Sequence, residues 1–228
     1  MKNIVLLTIL SVLFFACRKD QEKEASKPAT TKLAQSSLGM VAAAQPLATA
    51  AGNSILEAGG NAADAAVATA FVLAVVEPTM NGIGGRSQIL VRQADRSFIG
   101  YNGMTEVPAS FIPAEEPANA GYGTVATPGV VAALMRLHVE HGSMPWAELI
   151  KPAIQYAHKG FEVLEGEAAR QAYALEDIKQ NPGFRGQMLK NDTVTYGTGE
   201  ILRQPDLAKT LQRIAETNGK EDCRRYGH

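Results

Sequence analysis

The chain has 228 residues, enough for one domain or one domain with a tail. Its 22 Lys and Arg against 23 Asp and Glu leave a formal net charge of −1, which excludes the strongly basic balance of a nucleic-acid binder. Two cysteines, Cys17 and Cys223, exclude a disulfide framework and a zinc spacing. No internal repeat is present.

Met1-Lys2-Asn3 is a short positive start, and residues 4–16 are an apolar run too short to span a bilayer comfortably. Together they read as a secretory signal rather than part of the fold. Leu13-Phe14-Phe15-Ala16-Cys17 sets a small residue before a cysteine. It resembles a bacterial lipoprotein signal, in which the cysteine is lipidated and becomes the mature N-terminus. A plain signal with an incidental cysteine is the alternative. Unpaired cysteine is a hazard in an oxidising compartment, which favours a lipid anchor at Cys17. The expected location is the bacterial cell envelope, facing periplasm or surface, or the medium if Cys17 is not lipidated. Residues 18–38 are charged, then Ser/Thr/Ala/Lys-rich, and read as a flexible tether.

The folded part is expected over 39–219. Residues 39–44 form a short apolar run that predicts a buried strand. Gln45-Pro46 turns it into a helix with Leu47, Ala51, Ile55 and Leu56 on one face. Gly59-Gly60 ends that helix, since glycine tolerates the left-handed conformation there. Asn61 then caps a second helix, with Asp64 favouring its positive end. Residues 65–76 are all Ala, Val, Thr, Phe or Leu. A helix apolar all round belongs in an interior, and this one is shorter than the ~20 residues a bilayer needs. Pro78 closes it after Glu77. The run Gly82-Ile83-Gly84-Gly85 lets backbone pass close to packed chain or ligand.

Residues 88–92 and 97–101 flank a polar turn and predict an antiparallel hairpin. Residues 102–122 hold three prolines and no periodicity, and read as an irregular loop of the functional kind. Residues 123–127 predict a strand. Pro128 starts a helix through Val131, Leu134, Leu137 and His138. A further helix opens at Pro145-Trp146, with Pro152 breaking it or displacing its start. Residues 165–180 predict one amphipathic helix ended by Asn181-Pro182-Gly183. Pro205 opens a last helix through Leu207, Leu211 and Ile214, capped by Asn218-Gly219. Residues 220–228 are a charged tail. Strands early and helices late suit a mixed α/β fold.

No complete catalytic set stands out. His138 and His141 have a spacing that can serve a metal, but no carboxylate or cysteine joins them, so they and His158 read as structural. Asp64 reads as a helix-start charge. Glu77 reads as a capping group or ion-pair member. The glycine run lacks the Lys-Ser/Thr of a phosphate loop. No Gly-x-Ser-x-Gly elbow occurs.

Gly-Gly-Asn-Ala-x-Asp-Ala-Ala-Val-Ala from Gly59, Val-Val-Glu-Pro to Pro78, and Gly82-Ile-Gly-Gly85 resemble the start of the gamma-glutamyltransferase (gamma-glutamyltranspeptidase) family. Further blocks agree in order: Gly39-Met40-Val41-Ala42 with Pro46-Leu47-Ala48; Thr124-Val125-Ala126-Thr127-Pro128-Gly129; Gly142 to Leu149 with Pro152-Ala153-Ile154 and Gly160-Phe161; and Gln204-Pro205-Asp206-Leu207-Ala208 with Thr210-Leu211 and Arg213-Ile214-Ala215. The resemblance implies an N-terminal-nucleophile hydrolase fold, an αββα sandwich of two sheets between helical layers, incomplete in this chain. It implies a self-cleaving precursor whose new N-terminal threonine attacks gamma-glutamyl amides such as glutathione, with no metal or cofactor. The α-amine of that threonine can act as its base.

Three departures bear on function. The chain stops before the family's small subunit and its threonine, so no catalytic residue is expected here, and truncation or a frameshift accounts for the divergent tail. Met104 stands where the family carries the arginine that grips the substrate carboxylate; Thr105 replaces the following glutamate, with Glu106 adjacent. Arg86-Ser87-Gln88 follows Gly85, where the family's glycine run continues. Losing the charge-assisted contact costs about 1.5–3 kcal/mol, so either Arg86 or Arg92 substitutes or the substrate differs. The expected partners are a gamma-glutamyl small molecule, a missing small subunit, and a membrane through the lipid anchor. The alternative is a non-catalytic surface lipoprotein that uses the same scaffold for binding.

Overall fold

The computed structural model describes residues 34–113 and 121–217. It divides into Met1–Leu38 and Gly39–His228. In the first unit, residues 34–38 are exposed, and Ser36 Oγ accepts the Leu38 N–H at 3.2 Å. The signal ending at Cys17, most of the tether, the Asn218-Gly219 cap and the 220–228 tail lie outside the described residues.

The second unit is built around two consecutive helices, α1 (Pro46–Glu57) and α2 (Ala62–Val76). The turn between them follows from its residues. The Gly59 N–H donates to the Leu56 carbonyl and the Gly60 N–H to the Ile55 carbonyl, with Gly59 at φ 91°, a left-handed C-terminal cap. Asn61 Oδ1 then accepts the N–H of Ala63 and Asp64, and Asp64 Oδ2 accepts the Asn61 N–H, a reciprocal capping box. As expected, α2 lies inside: Val67, Ala68, Phe71, Val72, Val75 and Val76 are all buried. Each of its larger apolar side chains contributes about 1.5–3 kcal/mol by leaving water.

The hairpin forms as expected, from β1 (Ser87–Arg92) and β2 (Phe98–Gly103), with Ile89 opposite Tyr101. Its inner residues Ile89, Val91 and Tyr101 pack on the core, while Leu90 and Phe98 face out at 72% and 61% exposure. Helix α3 (Val130–His141) lies against the hairpin and α2. Helix α4 (Trp146–Lys159) packs between α2 and the last helix, α8 (Pro205–Glu216). Trp146 joins all three: its ring meets Phe71 edge-on at 5.5 Å, and its Nε1–H donates to the Ile214 carbonyl at 3.1 Å.

Several local expectations are corrected. Residues 39–44 form no strand, because none of the described strands pairs with them; Val41 and Ala43 pack on the core, and the Ala43 N–H goes to Thr49 Oγ1 instead. Residues 123–127 are not a strand either. A 3₁₀ turn (Tyr122–Thr124) follows Gly121, which sits at φ 93°, and only Thr127 bridges, to Glu106. Pro152 does not break α4, because buried Trp146, Leu149, Ile150, Ala153 and Ala157 hold the helix on both sides of it. Residues 165–180 are two helices, α5 (Glu165–Tyr173) and α6 (Leu175–Gln180). They answer to different anchors: α5 buries hydrogen-bonded Glu167 and Gln171, whereas α6 buries Ile178. Asn181 starts a helix rather than only ending one, its Oδ1 accepting the Phe184 N–H at the head of α7 (Pro182–Met188). A short pair, β3 (Phe161–Glu162) with β4 (Ile201–Leu202), had no sequence signal long enough to detect.

Candidate functional site

Three backbone segments meet where β2 ends. The Gly85 carbonyl accepts the Gly129 N–H at 3.1 Å, which ties the glycine run to the head of α3. Gly129 in turn lies against the end of β2: a Cβ there would stand 2.5 Å from the carbonyl oxygens of both Gly103 and Met104. Only glycine permits that approach. Beyond Met104, Glu106 and Thr127 exchange backbone hydrogen bonds at 3.1 and 2.7 Å. The 104–106 segment is thus fixed at both ends.

These segments enclose a cavity of about 380 Å³ between the glycine run, the 104–106 segment, α3 and α8. Its wall is largely apolar, and Met104 and Glu106 both border it. Arg136 borders it as well, from the middle of α3. Arg136 Nε is paired with Glu140 Oε1, one helical turn on. Glu140 Oε2 accepts the Tyr101 hydroxyl at 2.6 Å, and that hydroxyl lies 2.7 Å from His141 Nε2. The Tyr101 hydrogen bond, with Arg136 adding to it, holds the Glu140 carboxyl below its ordinary range, and the same bond pushes the Tyr101 hydroxyl up.

A model of the gamma-glutamyltranspeptidase family matches residues 48–222, most of the chain and every segment of this site. The chain belongs to the gamma-glutamyltranspeptidase family. It is 38% identical over 195 residues to a glutathione hydrolase proenzyme of Pseudomonas aeruginosa, covering 80% of this chain and 34% of that one. It is 32% identical over 224 residues to the capsule biosynthesis protein CapD proenzyme of Bacillus anthracis, covering 96% and 40%. The crystal structure of Helicobacter pylori gamma-glutamyltranspeptidase superimposes with a TM-score of 0.77 at 29% identity, over 82% of this chain and 57% of that one. The chain therefore spans between a third and two fifths of the length of these curated relatives. Its fold is the family's α/β N-terminal-nucleophile hydrolase type, present in part: the described residues carry helices and two two-stranded sheets.

The two arginines that could substitute at the Met104 wall fall elsewhere. Arg86 borders a second cavity, of about 540 Å³, on the other side of the glycine run. Arg92 is exposed on the outer face of the hairpin and borders neither cavity. Arg136 was missed because position 136 belongs to none of the resembling blocks. Its sequence signal was the Arg136–Glu140 spacing of an i, i+4 pair, ordinary on any helix.

The other candidates lie outside this cavity. Asp64 accepts from Asn61, Ser143 and Met144. Glu77 ends α2 and lies 3.6 Å from Arg170, which also bonds Glu167 and Thr79. His138 Nε2 faces the Met144 carbonyl at 2.8 Å, with its ring 5.2 Å from Trp146, and His158 is exposed. Among the described residues no cluster of three His, Cys, Asp or Glu could hold a metal.

Proposed function

We propose that this chain forms the large-subunit part of an acyl-transfer enzyme acting on gamma-glutamyl amides, glutathione among them. The observation that carries the reading is the single cavity shared by the glycine run and the Met104–Glu106 segment, set where the family's ordered blocks converge. The chain supplies the substrate wall. A small subunit supplies the nucleophile, because each threonine among the described residues lies within continuous backbone and has no α-amine to act as base. In the reaction, the threonine hydroxyl loses its proton to that amine and its oxygen bonds the amide carbonyl carbon. Backbone N–H groups stabilise the resulting oxyanion. The C–N bond then breaks, the leaving amine takes the proton, and water or an amino acid accepts the glutamyl group. Met104 offers no charge to a substrate carboxylate, so position 104 itself does not supply the family's contact with it.

The test is to read the gene beyond codon 217 in all frames for a segment headed by threonine, and to produce the two together. The pair should release p-nitroaniline from gamma-glutamyl-p-nitroanilide, and the 228-residue chain alone should not. Turnover by the chain alone, or the lack of any such segment, overturns the reading.

The same reading places the enzyme at the cell envelope through a lipid on Cys17, with residues 18–38 as tether. Support comes from the signal-like start and the small residue before the cysteine. Cells fed an alkyne-tagged fatty acid should label the wild-type chain and not Cys17→Ala. Equal labelling of both removes the anchor.

A further inference from the structure

Among its described lining residues, the Met104 cavity holds one cation, Arg136, and one carboxylate, Glu106; the rest are apolar or uncharged. An apolar cavity whose described wall carries one cation suits a small ligand with a free carboxylate. We propose that Arg136 is the specificity-determining residue that reads the ligand's free carboxylate, in place of the arginine absent at position 104. The inference rests on the acyl-transfer reading for the identity of the substrate.

The geometry supports this in four ways. Arg136 pairs with Glu140 through Nε, an arrangement in which the Nη1–Nη2 edge of a planar guanidinium can still take a carboxylate. Glu140 is itself held by the Tyr101 hydroxyl, and Tyr101 also borders the cavity, so the guanidinium is oriented before any ligand arrives. The Arg136 side chain is 69% exposed and therefore reachable. Helix α3, which carries it, is tied to the glycine run at its head through the Gly129–Gly85 bond. The arginines at 86 and 92 have none of this: neither borders the cavity.

The test is a titration of the 228-residue chain with glutarate, a bare dicarboxylate, followed by NMR of the arginine Nε–H signals. Wild type should show a saturable shift. Arg136→Met should weaken binding at least about tenfold, the loss expected for a charge-assisted pair. Arg136→Lys should recover part of it, and Arg86→Met and Arg92→Met should leave it unchanged. Because position 136 is exposed, the variant should keep its fold, checked by circular dichroism. Wild type without a saturable shift, or Arg136→Met binding as wild type does, overturns the proposal. The titration needs no turnover, so the two readings fail separately. Arg136-dependent glutarate binding without gamma-glutamyl transfer would reject the function and keep the site. Transfer without Arg136-dependent binding would reject the site alone.

Discussion

Ser143 donates its hydroxyl to Asp64 Oδ2 at 2.6 Å, across 79 positions of sequence. Its backbone N–H reaches both carboxylate oxygens, at 3.0 and 3.1 Å, and the Met144 N–H adds a contact at 3.3 Å. One fully buried carboxylate thus starts α2 and fastens the turn between α3 and α4 to it. Asp64→Asn keeps the shape but gives up the charge and one acceptor. It should lower unfolding free energy by about 2–3 kcal/mol, the scale of hydrogen bonds to a buried charged group. Urea melts would show this as a lower midpoint with an unchanged slope. A change under about 0.5 kcal/mol, the ordinary surface range, would remove Asp64 from this role.

The same residue sets an acid limit. Burial pushes the Asp64 carboxyl up, but the Ser143 hydroxyl and the N–H groups of Asn61, Ser143 and Met144 outweigh it and hold the group below its ordinary 3.8. A carboxylate lowered on folding contributes stability fully above its unfolded pKa, and that contribution is lost as pH falls through the folded one. Wild type should therefore lose stability below about pH 4 more steeply than Asp64→Asn. Parallel acid limbs for the two proteins would contradict the assignment.

Gly129 predicts a steric result. A methyl there meets two carbonyl oxygens of backbone rather than a flexible side chain. Gly129→Ala should cost about 1–3 kcal/mol, in the range of overpacking, and should displace the Met104 wall. Thermal melts measure the first effect and amide shifts at 103–106 the second. A variant as stable as wild type with unmoved shifts would show that the junction has slack.

Met104→Arg tests the wall from the other side. In the enzyme completed by its small subunit, it should lower KM for gamma-glutamyl substrates about tenfold, since a charge-assisted bond is worth about 1.5–3 kcal/mol. A guanidinium added at 104 would share the cavity with Arg136, and its attraction for a carboxylate should grow at low salt, where screening is weaker. Steady-state kinetics at two ionic strengths would read both effects. An unchanged KM would mean that position 104 does not meet the substrate carboxylate.

The central part of the fold was legible because its signals are local. Gly59-Gly60 and Asn61 with Asp64 specify a cap and a start by backbone chemistry alone, and an unbroken apolar run leaves α2 nowhere to go but inside. What required tertiary context was misread. Pro152 is tolerated because the burial on both sides of it outweighs one lost hydrogen bond. The 39–44 run was apolar enough for a strand, but ladders depend on partners far along the chain. At the site, Met104 and Glu106 were found through a resembling block, and they do border one cavity. Arg136 was not found, because a helical i, i+4 ion pair looks the same whether it faces solvent or a ligand.

The hairpin's outward side has a practical bearing. Leu90 and Phe98 stand in water on a ribbon whose outer edges pair with no other described strand. Such a surface recruits company, by stacking on its own kind if nothing better is offered. Recovery of the chain in the clear fraction after lysis, with and without a co-produced companion, will therefore report whether that face has found its cover before any assay is run.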